Sequence, residues 1–350
     1  GYIVAGYTNS FGAGYYDVYV LKLDENGDLQ WQKTFGRTNY EWAYSIQQTT
    51  DGGYIVAGMT NSLGAGSSDV YVLKLNADGG LQWEKNFGGG DIDKAESIQQ
   101  VADGGYIVAG GTASLGDIAG DVYVLKLDAS GELLWQKTYG GVNWDVAHSI
   151  QQTTDGGYIV AGTTQSFGAG SWDVYVLKLD ANGDATWSNT YGGTDIDEAY
   201  AIQQTADGGY IVSGRTRSFG AGSWDYDDDV YILKLNSIGI KEWEKVYDGG
   251  GSDEAESIQQ TADGGYIVVG ATDSFGAGGL DVYILKLDAN GEKEWDNAFG
   301  GSSTDDAYSI QRTIGGGYIV AGATGSFGAG SFDVYVLKLD ENGNTGANPK

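Results

Sequence analysis

The sequence predicts an all-β protein, a seven-bladed β-propeller of four-stranded antiparallel blades, on three observations. The first is an internal repeat: Gly-Tyr-Ile-Val-Ala-Gly starts at Gly1, Gly53, Gly105, Gly157 and Gly317, and recurs with one substitution at Gly209 and Gly265. The spacing is 52 residues except for one interval of 56, and a period of this size marks a radial or stacked array. The second is that each unit divides into four short segments rich in β-branched and aromatic residues. The third is the punctuation. Asp-Gly-Gly and Asp-x-Asn-Gly turns join neighbours too tightly for parallel pairing, which sets aside a β-solenoid. Four antiparallel strands per repeat is the propeller pattern.

In one copy, Ala95 to Val101 is a strand, Asp103-Gly104-Gly105 a turn, and Tyr106 to Gly110 the next strand. A loop rich in Gly and Ser leads to Asp121 to Leu127, and Asp128-Ala129-Ser130-Gly131 turns the chain into Leu133 to Tyr139. These segments are too short and too interrupted by glycine for helices. With the four strands labelled A to D, A and D each occur six times, B and C seven times. The first blade therefore lacks A and the last lacks D. The expected organisation is one propeller domain over 1–344, with repeats starting at 1, 53, 105, 157, 209, 265 and 317, and a tail at 345–350. Unpaired edges of this kind invite strand addition, so residues upstream of Gly1 or a neighbouring molecule are expected to supply the missing strands. A chain that opens on Gly1 with no leader reads as a processed or partial product.

Composition removes several chemistries. The 350 residues hold no cysteine and one histidine, which excludes disulfide scaffolds, Cys/His zinc sites and cysteine nucleophiles. His148 stands alone, in a slot filled elsewhere by Tyr44, Glu96, Tyr200, Glu256 and Tyr308, and the mixture suggests a solvent-facing position. A net charge of −29 repels phosphate backbones, so nucleic acid is not an expected partner. No apolar run is long enough to span a bilayer. The absence of cysteine and the acidity suit an exported prokaryotic protein or one living in high salt.

Residues repeated in every copy read as framework. Lys22, Lys74, Lys126, Lys178, Lys234, Lys286 and Lys338 share one strand-C slot, and a lysine on a packed sheet face needs a partner. Glu41, Asp93, Asp145, Asp197, Asp253 and Asp305 are the candidates. Trp31, Trp83, Trp135, Trp187, Trp243 and Trp295, one per strand D, are expected to wedge between blades. The Asp-x-Asn-Gly turns lack the alternating ligands of a calcium loop.

The unit Asp-Gly-Gly-Tyr-Ile-Val-Ala-Gly, then Asp-Val-Tyr-Val-Leu-Lys-Leu-Asp, then Trp-x-Lys-x-(Tyr/Phe)-Gly-Gly resembles the SBBP-type β-propeller repeats of exported bacterial and archaeal surface proteins, over nearly the whole chain. Leu127 to Trp135 is also similar to the tryptophan-docking motif of quinoprotein-like propellers. The resemblance implies the fold and a secreted setting, and it implies no particular activity.

Function is expected where the copies differ. The B–C and D–A loops should share one face, and they carry Tyr15, Tyr16, Trp172, Trp224, Tyr226 and Phe332 on the first kind and Tyr40, Trp42 and Trp144 on the second. Such aromatics, flanked by Asp, Asn and Ser, suit sugar stacking or protein contact. An acidic insertion brings Asp225, Asp227, Asp228 and Asp229 towards Asp253 and Glu254, a set suited to calcium. The sequence thus favours a non-enzymatic extracellular or cell-surface propeller that binds a glycan or a surface protein, with calcium as the one candidate cofactor. It leaves open an assembly subunit joined through the incomplete blades, and a carboxylate-based carbohydrate-active enzyme whose acid pair cannot be picked out.

Overall fold

A computed structural model describes residues 1–116, 119–220 and 227–346. The architecture is a seven-bladed all-β propeller of antiparallel sheets, without a helix among the described residues. The first sheet has three strands, β1 (Tyr2–Thr8), β2 (Asp17–Leu23) and β3 (Leu29–Phe35). The second has β4 (Glu41–Gln48), β5 (Tyr54–Thr60), β6 (Asp69–Leu75) and β7 (Leu81–Phe87); the third has β8 (Asp93–Gln100), β9 (Tyr106–Thr112), β10 (Asp121–Leu127) and β11 (Leu133–Tyr139). The fourth has β12 (Asp145–Gln152), β13 (Tyr158–Thr164), β14 (Asp173–Leu179) and β15 (Ala185–Tyr191); the fifth has β16 (Asp197–Gln204), β17 (Tyr210–Thr216), β18 (Asp229–Leu235) and β19 (Lys241–Tyr247). The sixth has β20 (Asp253–Gln260), β21 (Tyr266–Thr272), β22 (Asp281–Leu287) and β23 (Lys293–Phe299), and the last has β24 (Asp305–Arg312), β25 (Tyr318–Thr324) and β26 (Asp333–Leu339). As the strand count implied, the first blade lacks A and the last lacks D. Among the described residues no helix is long and apolar enough to cross a membrane.

The chain divides into two compact units, Gly1–Phe167 with Leu177–Thr186, and Gly168–Val176 with Trp187–Lys350. In the first, Ala57 and Val72 pack with Ile98, Val108 and Leu125 of the next sheet. In the second, Ile211 and Ile232 pack with Ile258, Val268 and Leu285. The central strands B and C are apolar at nearly every position because both of their faces are covered.

The conserved lysines find partners other than those expected from the sequence. Lys126, 4% exposed, reaches along its strand to the A–B turn, where its Nζ lies 2.9 Å from Asp103. Lys74 pairs with Asp51, Lys178 with Asp155, Lys234 with Asp207 and Lys286 with Asp263 in the same way. The turn Asp also accepts the amide of Gly105 or its equivalents, so it closes the turn and neutralises the lysine together. Lys22, whose sheet has no A–B turn, lies over the ring of Tyr54.

The carboxylates Asp93, Asp145, Asp197, Asp253 and Asp305 instead sit buried at the head of strand A. Asp93 accepts from the Thr112 hydroxyl at the end of strand B, from Ser114 Oγ at 2.7 Å in the B–C loop, and from the Gly89 amide at 2.8 Å in the D–A loop. Asp145, Asp197 and Asp305 take the corresponding serine and glycine donors. Sequence position alone places these residues near strand C, but the lysine side chains run towards the opposite end of the blade.

The strand-D tryptophans bridge blades as expected. Trp83 meets Tyr106 of the following sheet edge-on, with centroids 5.9 Å apart, and its ring covers the C–D turn at Gly131. Gly131 has φ of 80°, and a methyl group there would come within 2.8 Å of the indole. Gly131→Ala is therefore expected to cost about 1–3 kcal/mol, read from urea unfolding.

Thr153, Lys178 and Gly157 outweigh burial and hold the Asp155 carboxyl down at about 2, and Asp207 and Asp263 are held down likewise. A lowered carboxylate stabilises the fold above its ordinary range near 3.8 and loses that contribution as pH falls towards about 2. Asp103→Asn is expected to lower stability by about 1–3 kcal/mol at pH 7. Its deficit against the wild type should shrink on acidification below about pH 4, as followed by tryptophan fluorescence.

Candidate functional site

One location in the repeat gathers the differences between copies. It is formed by the sixth residue of strand B, the residue before strand C, the residue before strand A, and the second and fourth residues of strand A. The fourth residue of strand A is a β-bulge: Ala43 pairs with Gly58 and Ser45 with Ala57, so Tyr44 is left out of the ladder. The same bulge recurs at His148 and Glu256, between Ala147 and Ser149 and between Ala255 and Ser257. A bulge re-aims its side chain, and the slot expected to face solvent is half-buried at His148. The backbone here is fixed by hydrogen bonds between loops: the Tyr15 amide donates to Asn39 O at 3.0 Å and the Glu41 amide to Tyr16 O at 2.9 Å. The expected meeting of B–C and D–A loops is thus present in the first unit.

In the first two blades all five positions are aromatic: Tyr7, Tyr16, Tyr40, Trp42 and Tyr44. Tyr16 stacks on Tyr40 with centroids 5.7 Å apart, and Tyr40 also stacks with Tyr15 at 5.5 Å and an interplanar angle of 14°. Tyr7 lies 5.6 Å from both Tyr16 and Trp42, and Trp42 meets Tyr40 and Tyr44 edge-on. The outer rings remain open to solvent: Tyr15 is 66% and Tyr7 53% exposed, and Tyr40 and Tyr44 are also exposed. Trp42 Nε1 is buried without a hydrogen-bond partner. Tyr15, Tyr16, Tyr40 and Trp42 were picked out as loop residues, although Trp42 lies within β4. Tyr7 and Tyr44 lie within strands β1 and β4 and were missed, although their positions in the repeat, filled by Arg215 and Glu256 elsewhere, vary as much as the loops do.

Of the remaining sequence-chosen aromatics, Trp144, Trp172 and Phe332 occupy the same location in other blades. Trp144, 42% exposed, lies against Gly120. Trp172 forms a backbone bridge with Ile196, and Phe332 is exposed before β26. Trp224 and Tyr226 lie outside the described residues.

At the fifth and sixth blades the same five positions read Arg215, Asp228, Ser252, Glu254 and Glu256. Arg215 donates from Nε to Glu198 Oε2 at 2.7 Å and from Nη1 to Asp228 Oδ2 at 3.1 Å, and its guanidinium lies over the Tyr200 ring. Arg217 takes the other oxygen of Asp228 at 2.7 Å. Glu254 stands 3.9 Å from Arg215. Asp228, at the end of the acidic insertion, therefore meets two arginines, one from strand B and one from the loop after it. Asp229 and Asp253 are buried at strand heads, Asp253 accepting from Ser274 Oγ at 2.7 Å; Asp227 is half-buried and Asp225 lies outside the described residues. Among the described residues, no three His, Cys, Asp or Glu side chains are arranged to hold a metal ion.

Burial, reinforced by Glu254, pushes the Glu256 carboxyl up to about 8. Burial also raises Glu254 and Asp306. For Glu256 the folded chain keeps a proton that the unfolded chain releases near 4.5, so stability falls as pH rises from there to about 8. Glu256→Gln is expected to gain on the wild type steadily across that window and level off above it, measured as melting temperature against pH.

The repeat matches the model of a family described as a domain of unknown function (DUF5122) beta-propeller, at residues 49–81, 153–185 and 261–294. Each match runs from an A–B turn through strands B and C, the invariant part of the unit. The regulatory protein FlaEY of Caulobacter vibrioides is 27% identical over 252 residues, covering 65% of this chain and 26% of that protein. The chain therefore corresponds to about a quarter of that relative's length. Among solved structures, Sqt1 from Chaetomium thermophilum superposes with a TM-score of 0.52 at 13% identity, over 99% of this chain and 80% of the other. A variant of the Synechocystis apocarotenoid oxygenase gives 0.52 at 12% identity, over 95% and 83%. At these identities the likeness is one of fold.

Proposed function

We propose that the protein is a non-enzymatic extracellular or cell-surface binding propeller whose aromatic cluster in the first two blades takes a glycan. The carrying observation is the continuous platform of Tyr7, Tyr15, Tyr16, Tyr40, Trp42 and Tyr44 with its outer rings exposed. Pyranose rings offer flat C–H faces that stack on such surfaces, while their hydroxyls find the rim. Asn39 stands at that rim: its side-chain amide donates to Asn61 O and its carbonyl receives the Tyr15 and Tyr16 amides. Clusters of exposed aromatics are uncommon on a surface that carries no ligand or partner. A relative described as regulatory fits binding better than turnover.

A second reading, a subunit of an extracellular assembly, draws on the sheet edges. Among the described residues no strand pairs with β1 on its edge away from β2, and beyond β26 there is a single bridge from Leu339 to Thr345. A strand from another molecule could pair there.

The test is a glycan array followed by titration of the best hit, with calcium and with chelator. Binding to a neutral glycan is expected, and Tyr15→Ala, which removes a surface ring, should weaken it about tenfold. Loss of binding in chelator would add the calcium that the acidic insertion suggested. Silence across the array, together with concentration-dependent association in sedimentation, would replace the glycan reading by assembly.

A further inference from the structure

We propose that Glu254, Glu256 and Asp306 in the second unit form a binding site for a primary ammonium group. The template lies within the same chain. At the equivalent location two blades from the aromatic cluster's start, Glu96 occupies the bulge and Lys94, two residues earlier on strand A, places its ammonium 2.6 Å from it. At the sixth blade the bulge again carries a glutamate, but the lysine is replaced by Glu254. The carboxylate is retained and its cation is not.

The surroundings do not make up the difference. Two guanidinium groups, Arg215 and Arg217, are shared among Glu198, Asp228 and Glu254, and Glu256 and Asp306 add two more carboxylates that interact with this set. Arg215 is already engaged 2.5 Å from Glu198 and 3.1 Å from Asp228, and Arg217 is committed to Asp228. Among the described residues no cation pairs with Glu256 or Asp306. Asp306 is half-buried, and its Oδ1 is a buried acceptor that receives no hydrogen bond. The groups acting on Glu256 are Glu254, Arg215, Asp306 and Glu198, drawn from strands β20, β17, β24 and β16. Tyr200 donates to Glu198 at 2.7 Å and Tyr308 to Asp306 at 3.3 Å, so rings stand beside the carboxylates. Carboxylates with adjacent phenol rings suit an ammonium on an alkyl stem, which can donate in three directions and lay its methylenes on an aromatic face. An ionised Glu256 is the form that binds, so affinity should rise with pH through about 8, while an alkylammonium stays protonated to about pH 10.

The test is calorimetry and thermal melting of the full chain with n-propylammonium chloride, against sodium, tetramethylammonium and magnesium chlorides at equal ionic strength. The wild type is expected to bind propylammonium, more tightly at pH 8.5 than at pH 6.5. Glu254→Lys restores the lysine of the Lys94–Glu96 location; it should fold, melt higher than the wild type and bind at least about tenfold more weakly. Glu256→Gln should lose binding to a similar degree. A lysine derivative blocked at both backbone ends separates the sources: tighter binding than propylammonium points to a partner's lysine side chain, equal or weaker binding to a free amine, and either supports the site. No response of the wild type at pH 8.5, an unchanged response in a folded Glu254→Lys variant, or an equal response to tetramethylammonium or magnesium would overturn it.

Discussion

The buried carboxylate at the head of strand A is the interaction on which the rest of this structure depends. It is taken out of water at a cost of several kcal/mol unless its oxygens are occupied, and at Asp93, Asp197 and Asp305 the chain occupies them with a threonine hydroxyl, a serine hydroxyl and a glycine amide from three different segments. Each such bond to an ionised oxygen is worth about 1.5–3 kcal/mol. The three donors come from the end of strand B, the B–C loop and the D–A loop, so satisfying one charge fixes the path of every segment on that side of the blade. The opposite end is tied by a second charge, the lysine that the A–B turn aspartate neutralises. Between these two clamps strands B and C can be apolar on both faces.

Because the loop backbones are set by residues that do not vary, the side chains carried on them are free to. Tyr7, Tyr16, Tyr40, Trp42 and Tyr44 build an aromatic platform on a scaffold whose counterpart at Arg215, Asp228, Ser252, Glu254 and Glu256 builds a charged network. Neither set perturbs the strands beneath it. The strongly negative charge of the chain suits both readings: a neutral glycan is indifferent to it, and an ammonium group is drawn by it.

The fold was legible in the sequence because its determinants are local. Asp103-Gly104-Gly105 and Asp128 to Gly131 each specify a turn within five residues, and their recurrence along the chain multiplies the signal. The interior pairing was not legible, since Lys126 meets Asp103 across a strand and a turn, whereas Asp93 appeared closer in the pattern. The candidate site fell between these cases. Tyr15, Tyr16 and Tyr40 could be found because loops advertise their variation, and Trp42, at the start of β4, because it borders one. Tyr7 and Tyr44 could not, because both lie within strands, and at Tyr44 the side-chain direction depends on a bulge that no single copy announces. Arg215, within β17, escaped as Tyr7 did, and Arg217 follows in the loop after it; with them went the fate of Asp228.

The five variable positions come from two neighbouring blades, yet all five lie within one sequence repeat: Tyr7 through Tyr44 fall between Gly1 and Gly52. The genetic unit is offset from the structural one by a strand. A duplication of one repeat therefore copies a whole recognition surface intact and adds a blade's worth of strands, while the clamps that support it, Asp93 with Thr112 and Lys126 with Asp103, close against the repeat that follows. A protein built this way can acquire a second specificity in one recombination event and refine it by substitutions that leave the ladder hydrogen bonds untouched.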